Sequence, residues 1–163
     1  LNIKHGKEIA MKRIAPTLLT ALALLLLVPA IALAQDHESQ QAENEALVVN
    51  FYNRFFNDHD GREAAQVVAE DYRQHNPHVP DGKAPFVDYF AGFFKDHPNS
   101  KARIVRSAAK DDLVWLHVHS QEDAEDRGEA VVDIFRVRDG QIVEHWDVIQ
   151  PVPEKSANDN TMF

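Results

Sequence analysis

Downstream of position 43 the spacing of apolar residues changes twice, and the changes divide the chain into elements. From Asn44 onward Leu47, Val48, Phe51, Tyr52, Phe55 and Phe56 recur in adjacent pairs four residues apart. That is the broad stripe of an amphipathic helix, and Asn57-Asp58-His59-Asp60-Gly61 ends it. Ala64, Ala65, Val67 and Val68 predict a second, shorter helix. The stretch Tyr72-Arg73-Gln74-His75-Asn76-Pro77-His78-Val79-Pro80-Asp81-Gly82 holds two prolines and a glycine and predicts an irregular loop. Phe86, Tyr89, Phe90, Phe93 and Phe94 predict a third helix, stopped by Asp96-His97-Pro98-Asn99. Beyond Lys101 the period falls to two, giving strands over 103–109, 113–120, 129–138 and 142–150. Asp139-Gly140 between the last two is the strongest hairpin signal in the chain. Pro151 and Pro153 end the sheet, and a polar tail occupies 153–163. Helices followed by a run of strands, with no repeat and no dividing linker, predict one α+β domain with helices on one face of an antiparallel sheet.

Upstream the pattern differs in kind. Met11 is followed by Lys12 and Arg13, then an apolar run over 18–28, then Ala32-Leu33-Ala34 before Gln35. A basic start, about ten apolar residues and a small-x-small site predict a secretory signal peptide cleaved after Ala34. The run falls short of the roughly 20 residues that span a bilayer. Positions 1–34 are therefore set apart, 35–43 are read as polar and frayed, and the folded domain is placed at 44–152. The localisation that follows is periplasmic or secreted, with no membrane association after cleavage.

That division changes the charge balance. The whole chain of 163 residues carries 17 basic and 26 acidic side chains, net −9. Positions 1–34 hold four of the basic residues and one of the acidic ones, so the remaining 129 carry 13 and 25, net −12. Such an acid excess excludes a nucleic-acid surface, which needs clustered Lys and Arg. The absence of cysteine excludes disulfides, thiolate metal sites and a Cys nucleophile.

Strand parity then locates candidate chemistry. In the last strand Val143, His145 and Asp147 share one face, while Ile142, Glu144, Trp146 and Val148 share the other. In its partner Val131, Asp133 and Phe135 share a face, and in the strand before that Trp115, His117 and His119 lie together with Leu113. Ionisable groups mixed with bulky apolar ones on one face predict a partly dry pocket. A carboxylate among aromatic rings has its charged form desolvated, which suits it to proton transfer. Asp147 is the first candidate for the base, with His145, His119 and Asp133 positioning it or donating to a developing enolate oxygen. The competing reading of Asp147 is a surface residue or the cross-strand partner of an Arg.

His75 and His78 in the loop, with His117 and His119, raise a metal reading. Their spacings match no standard zinc site, and no metal is assigned. His37, His59 and His97 are read as solvated. The acidic run Glu122-Asp123-Ala124-Glu125-Asp126-Arg127 lacks the Gly and terminal Glu of a calcium loop and is read as a solvated connection. GxSxG, P-loop and GxGxxG motifs are absent from the sequence, which leaves serine hydrolase, nucleotide hydrolase and dinucleotide chemistry without support.

Three segments together resemble a known family. They are Phe51-Tyr52-Asn53-Arg54-Phe55-Phe56-Asn57, Tyr72-Arg73-Gln74-His75-Asn76-Pro77, and Asp133-Ile134-Phe135-Arg136-Val137 followed by Asp139-Gly140-Gln141-Ile142-Val143-Glu144-His145-Trp146-Asp147. The pattern is similar to the SnoaL-like polyketide cyclases of the nuclear transport factor 2-like superfamily, over about 44–152. The resemblance implies a cone-shaped α+β barrel, its curved antiparallel sheet wrapped around N-terminal helices with one internal pocket, and a homodimer through the sheet. It implies cofactor-free acid–base chemistry of aldol-condensation or isomerase type on a small molecule, with the acid–base role on Asp147. Related pocket positions fall on Asp133, His117 and His119, with His75 at the mouth; His78, Trp115, Phe135 and Tyr72 complete the expected lining. An export signal is unexpected for a tailoring enzyme, and the superfamily also holds non-catalytic domains. A periplasmic module that binds a small ligand without turning it over is therefore the alternative.

Overall fold

The computed structural model describes the backbone from Thr17 and the side chains from Gln35 to Phe163. The predicted export segment begins among positions 1–16, outside the described residues. The chain divides into two compact units at Asp36/His37, and the fold described here is that of the second, His37–Phe163. Among the described residues no helix is long and apolar enough to cross a membrane.

Helix α1 (Thr17–Tyr52) runs unbroken through the positions read as frayed. Its predicted stripe is the heart of the core: Val48, Phe51, Tyr52 and Phe55 are all buried. After Tyr52 the helix widens into a π-turn, Asn53–Asn57, closed by the Asp58 N–H on the Asn53 carbonyl (3.1 Å). Asn57 then ties this end to the sheet, its Oδ1 accepting from Ala102 N–H (2.8 Å) and its Nδ2 donating to Ala102 O (3.1 Å). Helix α2 (Gly61–Ala64) is one turn long and passes through a 3₁₀ turn, Ala65–Val67.

The predicted second helix stops there. Val68 opens a strand instead, β1 (Val68–Gln74), which takes in the first residues of the predicted loop. It joins the sheet parallel to the last strand, with Arg73 opposite Glu144 and Gln74 opposite His145. The competing principle is tertiary: Val68 and Tyr72 suit a strand as well as a helix, and the edge of the sheet stands unpaired without this segment. Helix α3 (Lys83–Asp96) follows, then β2 (Lys101–Lys110), β3 (Leu113–Gln121), β4 (Glu129–Arg138) and β5 (Gln141–Pro151). The strand order is β1-β5-β4-β3-β2. The sheet is thus mixed and unclosed, antiparallel except at β1. The result is the predicted α+β class, with helices on one face.

The two-residue turn Asp139-Gly140 places both residues at positive φ (52° and 73°), as the Asp-Gly signal predicted. One extra residue enters β5 just after it, because Arg136 pairs with Glu144 but Val137 pairs with Ile142. This bulge at Val143 overturns one parity expectation: Ile142 is fully buried on the core face with Val137, not on the face of Trp146. His145 and Asp147, beyond the bulge, keep their register opposite Phe135 and Asp133.

Candidate functional site

The inner face of β4 and β5 carries two polar residues surrounded by rings. Asp133 and His145 are both buried, and His145 Nε2 lies 2.9 Å from Asp133 Oδ1. The other carboxylate oxygen, Oδ2, accepts from the Tyr52 hydroxyl at 2.7 Å. Tyr52 is delivered by the last turn of α1 directly before the π-turn. Around the pair stand Phe135, whose ring centroid is 4.7 Å from that of His145, and Tyr72 of β1 at 6.5 Å.

Asp147 follows on the same face, half-buried. Its Oδ2 accepts from Asn76 Nδ2 at 2.6 Å, while its Oδ1 accepts no hydrogen bond among the described residues. Asn76 sits in the turn after β1, its Oδ1 accepting from His78 N–H (2.8 Å). Gln74, at the end of β1, faces His145: Gln74 Oε1 is 2.8 Å from Nδ1. The same Oε1 accepts from Asn76 N–H (3.0 Å).

These groups open into a cavity of about 300 Å³. Its aromatic wall includes Tyr52, Phe56, Tyr72, Phe86, Phe90 and Phe135, and its polar members include Asn76, His78, Asp133, His145 and Asp147. Burial pushes the phenols of Tyr52 and Tyr72 well above the ordinary tyrosine range, and the neighbouring carboxylates of Asp133 and then Asp147 push them the same way. Both phenols therefore remain O–H donors. Ligand atoms of Asp133, His145 and Asp147 lie within 4.8 Å of one another. Two carboxylates and an imidazole are a donor set that suits a divalent cation, but Nε2 and Oδ1 face each other across a hydrogen bond and would have to part to ligate one.

Of the predicted residues, the structure brings together Asp147, His145, Asp133, Phe135, Tyr72 and His78. The other four, Trp115, His117, His119 and His75, stand outside the pocket, contrary to the expectation from strand parity and from the resemblance. In β3 it is Val114, Leu116 and Val118 that are buried in the core. Trp115, His117 and His119 consequently point to the outer face. There His119 donates from Nε2 to the Arg127 carbonyl (2.9 Å) and stacks on Phe163 (4.1 Å). His117 Nδ1 accepts from Arg106 Nη1 at 2.6 Å. Neither histidine can reach Asp147 through the sheet. His75 is also outside, its ring stacked on Trp146 (4.7 Å, 6°) and its Nε2 donating to Glu144 Oε1 (2.9 Å). That hydrogen bond is the main cause, with Arg136 adding to it, of a Glu144 carboxyl held below the usual range.

Tyr52, Gln74 and Asn76 were missed as site residues. For Tyr52 a signal existed, since a phenol in the centre of a buried stripe needs a hydrogen-bond partner. His59 and His97, read as solvated, instead stack on Phe94 (4.2 Å) and Phe93 (4.6 Å). The acidic connection binds its own backbone: Asp126 accepts from Glu122 and Gly128 N–H, and those bonds hold its carboxyl below the usual range.

The model of the SnoaL-like domain matches residues 48–145. No curated protein matches the chain. Among solved structures, a protein from Kribbella flavida provisionally named a ketosteroid isomerase superposes with a TM-score of 0.59 at 18% identity, covering 72% of this chain and 85% of its own. A SnoaL-like protein of unknown function from Burkholderia thailandensis gives 0.58 at 16%, covering 68% and 96%. A provisionally named polyketide cyclase from Bacillus cereus gives 0.53 at 23%, covering 66% and 74%. At these identities the likeness is one of fold.

Proposed function

The chain belongs to the SnoaL-like family, and from that premise we propose that it is an exported small-molecule enzyme performing cofactor-free acid–base chemistry of the aldol or isomerase type. One observation carries the reading. Asp147 presents to an aromatic cavity an oxygen that has no hydrogen-bond donor among the described residues, within a few ångströms of a buried Asp133–His145 pair that holds a proton between its members. A base and a proton source in one aromatic-walled pocket are what enolisation requires.

In this scheme Asp147 Oδ1 removes a proton from carbon next to a carbonyl. The electron pair moves onto the carbonyl oxygen, which takes a hydrogen bond from the His145–Asp133 pair or from the Tyr72 hydroxyl. The enolate then either takes that proton back from Asp147 at another carbon of its conjugated system, or attacks a second carbonyl of the same molecule through carbon, which re-forms the first carbonyl while Asp147 returns the proton to the new alkoxide. The aromatic wall supplies apolar contact and excludes water. A second copy pairs on the outer face of the sheet, where Val132 and Val148 lie directly opposite one another and are 40% and 69% exposed. Export rests on the basic and apolar pattern over 11–34.

The test uses a panel of small cyclic ketones in deuterated water, with NMR following loss of the α-proton. The wild type exchanges at least one member, and Asp147→Asn slows it by roughly 100-fold or more with the fold intact. Full activity in that variant refutes the role of Asp147. No exchange with any ketone, together with an unmodified ligand retained in native mass spectrometry, establishes the ligand-binding module instead.

A further inference from the structure

The hydrogen bonds around the pocket form two runs joined at Asn76, one through its side chain and one through its backbone N–H, and their directions are fixed by backbone groups. His78 N–H can only donate, so Asn76 must turn its Oδ1 toward it and its Nδ2 toward Asp147. Asn76 N–H likewise can only donate, so the Gln74 amide must turn Oε1 toward it. That same oxygen faces His145 Nδ1 at 2.8 Å, and an amide oxygen only accepts. His145 is therefore held with its proton on Nδ1. Its Nε2 lies 2.9 Å from Asp133 Oδ1, where a further proton must sit between the two atoms. Beyond it Tyr52 donates to Oδ2 and closes the chain.

We infer that Gln74 is the residue that keeps a donatable proton on the Asp133–His145 pair, and that Asn76, linked to it, selects Oδ1 of Asp147 as the base. An imidazole beside a lone carboxylate would put its single proton on Nε2, toward Asp133, and leave Nδ1 bare. By demanding Nδ1–H, Gln74 adds one proton to the pair's inventory: Nδ1–H goes to Gln74 and the second proton lies between Nε2 and Asp133 Oδ1. The inference rests on the proposed reading for its use in catalysis, but not for its physical content. Both residues act through others and are positioning residues.

The segment is held for this task from both faces. His75 N–H donates to the His145 carbonyl (2.9 Å), extending the parallel pairing of β1 with β5 by one residue. The His75 ring is clasped outside between Trp146 and Glu144, and Arg136 lies on Trp146 at 5.5 Å. Successive side chains of β1 alternate across the edge of the sheet, so Gln74 faces in, His75 faces out, and Asn76 reaches the pocket again.

The test is the protonation of the His145 ring nitrogens, read by long-range ¹H–¹⁵N NMR on protein without substrate. The wild type shows Nδ1–H. Gln74→Leu moves the proton to Nε2, and Gln74→Glu, which keeps an acceptor oxygen, restores Nδ1–H. Thermal melting of each variant controls for folding, since loss of packing alone would not exchange one tautomer for the other. In the ketone exchange assay Gln74→Leu lowers kcat roughly 100-fold with KM nearly unchanged. Nδ1–H retained in Gln74→Leu, or absent from the wild type, overturns the inference whatever the activity. If the tautomer moves as stated but no ketone is exchanged by the wild type, the proposed reaction fails and the orienting role stands.

Discussion

Replacing Asp133 separates two accounts of the buried pair. If a proton lies between Nε2 and Oδ1 while Nδ1 is held by Gln74, then Asn is nearly a perfect stand-in for the wild-type residue. Its carbonyl accepts from Tyr52, and its NH₂ donates to the bare Nε2 of a neutral imidazole. Every polar atom keeps a partner, and the cost of Asp133→Asn is about 0.5–1 kcal/mol, the exchange of charge-assisted hydrogen bonds for neutral ones. Asp133→Ala strips the partner from both the Tyr52 hydroxyl and His145, two groups that are buried (4% and 7% exposed). Each orphaned group costs about 1–3 kcal/mol, and breaking a buried pair by removing one member costs about 3–5 in all. Urea unfolding followed by far-UV circular dichroism resolves the two. With a slope of about 1–3 kcal/mol per molar urea, the Ala variant moves its midpoint down by more than about 1 M, and the Asn variant by a few tenths. Asn as damaging as Ala would refute the proton placement, because it would mean that the NH₂ group meets an Nε2–H already there.

The raised Tyr52 and Tyr72 phenols keep their protons in the folded state while the unfolded chain ionises near pH 10. Their contribution is thus complete below that pH and is lost as pH rises toward the folded values; melting temperatures over pH 8–11 fall with a slope that Tyr52→Phe makes shallower. Phe55 is fully buried against Phe51, Phe86, Phe90 and Phe94, so Phe55→Ala costs about 3–5 kcal/mol in the same urea titration. Gly128 sits at φ 75°, and a Cβ there would fall 2.1 Å from the Ser120 carbonyl oxygen. Gly128→Ala therefore strains the start of β4 and costs more than about 2 kcal/mol, seen as a lowered melting temperature.

The legible parts were those set by local periodicity. The stripe from Leu47 to Phe56, the ring-rich third helix, the four later strands and the Asp139-Gly140 turn all stand where spacing placed them. Parity also grouped Trp115, His117 and His119 correctly but assigned the group to the wrong side. Two alternating faces exist in any strand, and the choice belongs to the core. Here the all-apolar set Val114, Leu116 and Val118 needs no polar partner and wins the interior, a preference that composition alone displayed. The bulge at Val143 and the parallel seat of β1 left no such trace. An extra residue changes nothing in hydropathy, and whether 68–74 continues a helix or pairs with an edge depends on the strand it meets. Gln74 and Asn76 stayed hidden for that reason: their roles exist only once β1 lies beside β5.

The polar chain in this core is an expensive way to build a stable domain. Tyr52, Asp133 and His145 are buried beside a core made chiefly of Val, Ala and Phe, and no buried polar side-chain atom among the described residues lacks a partner. Burying ions removes hydration that their attraction only partly restores, so apolar replacement of such a group is commonly neutral or stabilising by about 1–4 kcal/mol. Packing gave this fold an alternative at these positions, since Phe135 and Ile142 fill neighbouring sites on the same two strands. The retained groups also do not face solvent, pin a turn or join distant elements that the rings leave loose. What they uniquely do is order hydrogen-bond direction from His78 through to Tyr52, across the wall of a cavity and beside an aspartate with an open oxygen. A directional chain has no value to stability beyond its satisfaction. Under the proposed function its value is to a molecule in the cavity, whose oxygen and hydrogen atoms would meet donors and acceptors in a fixed order.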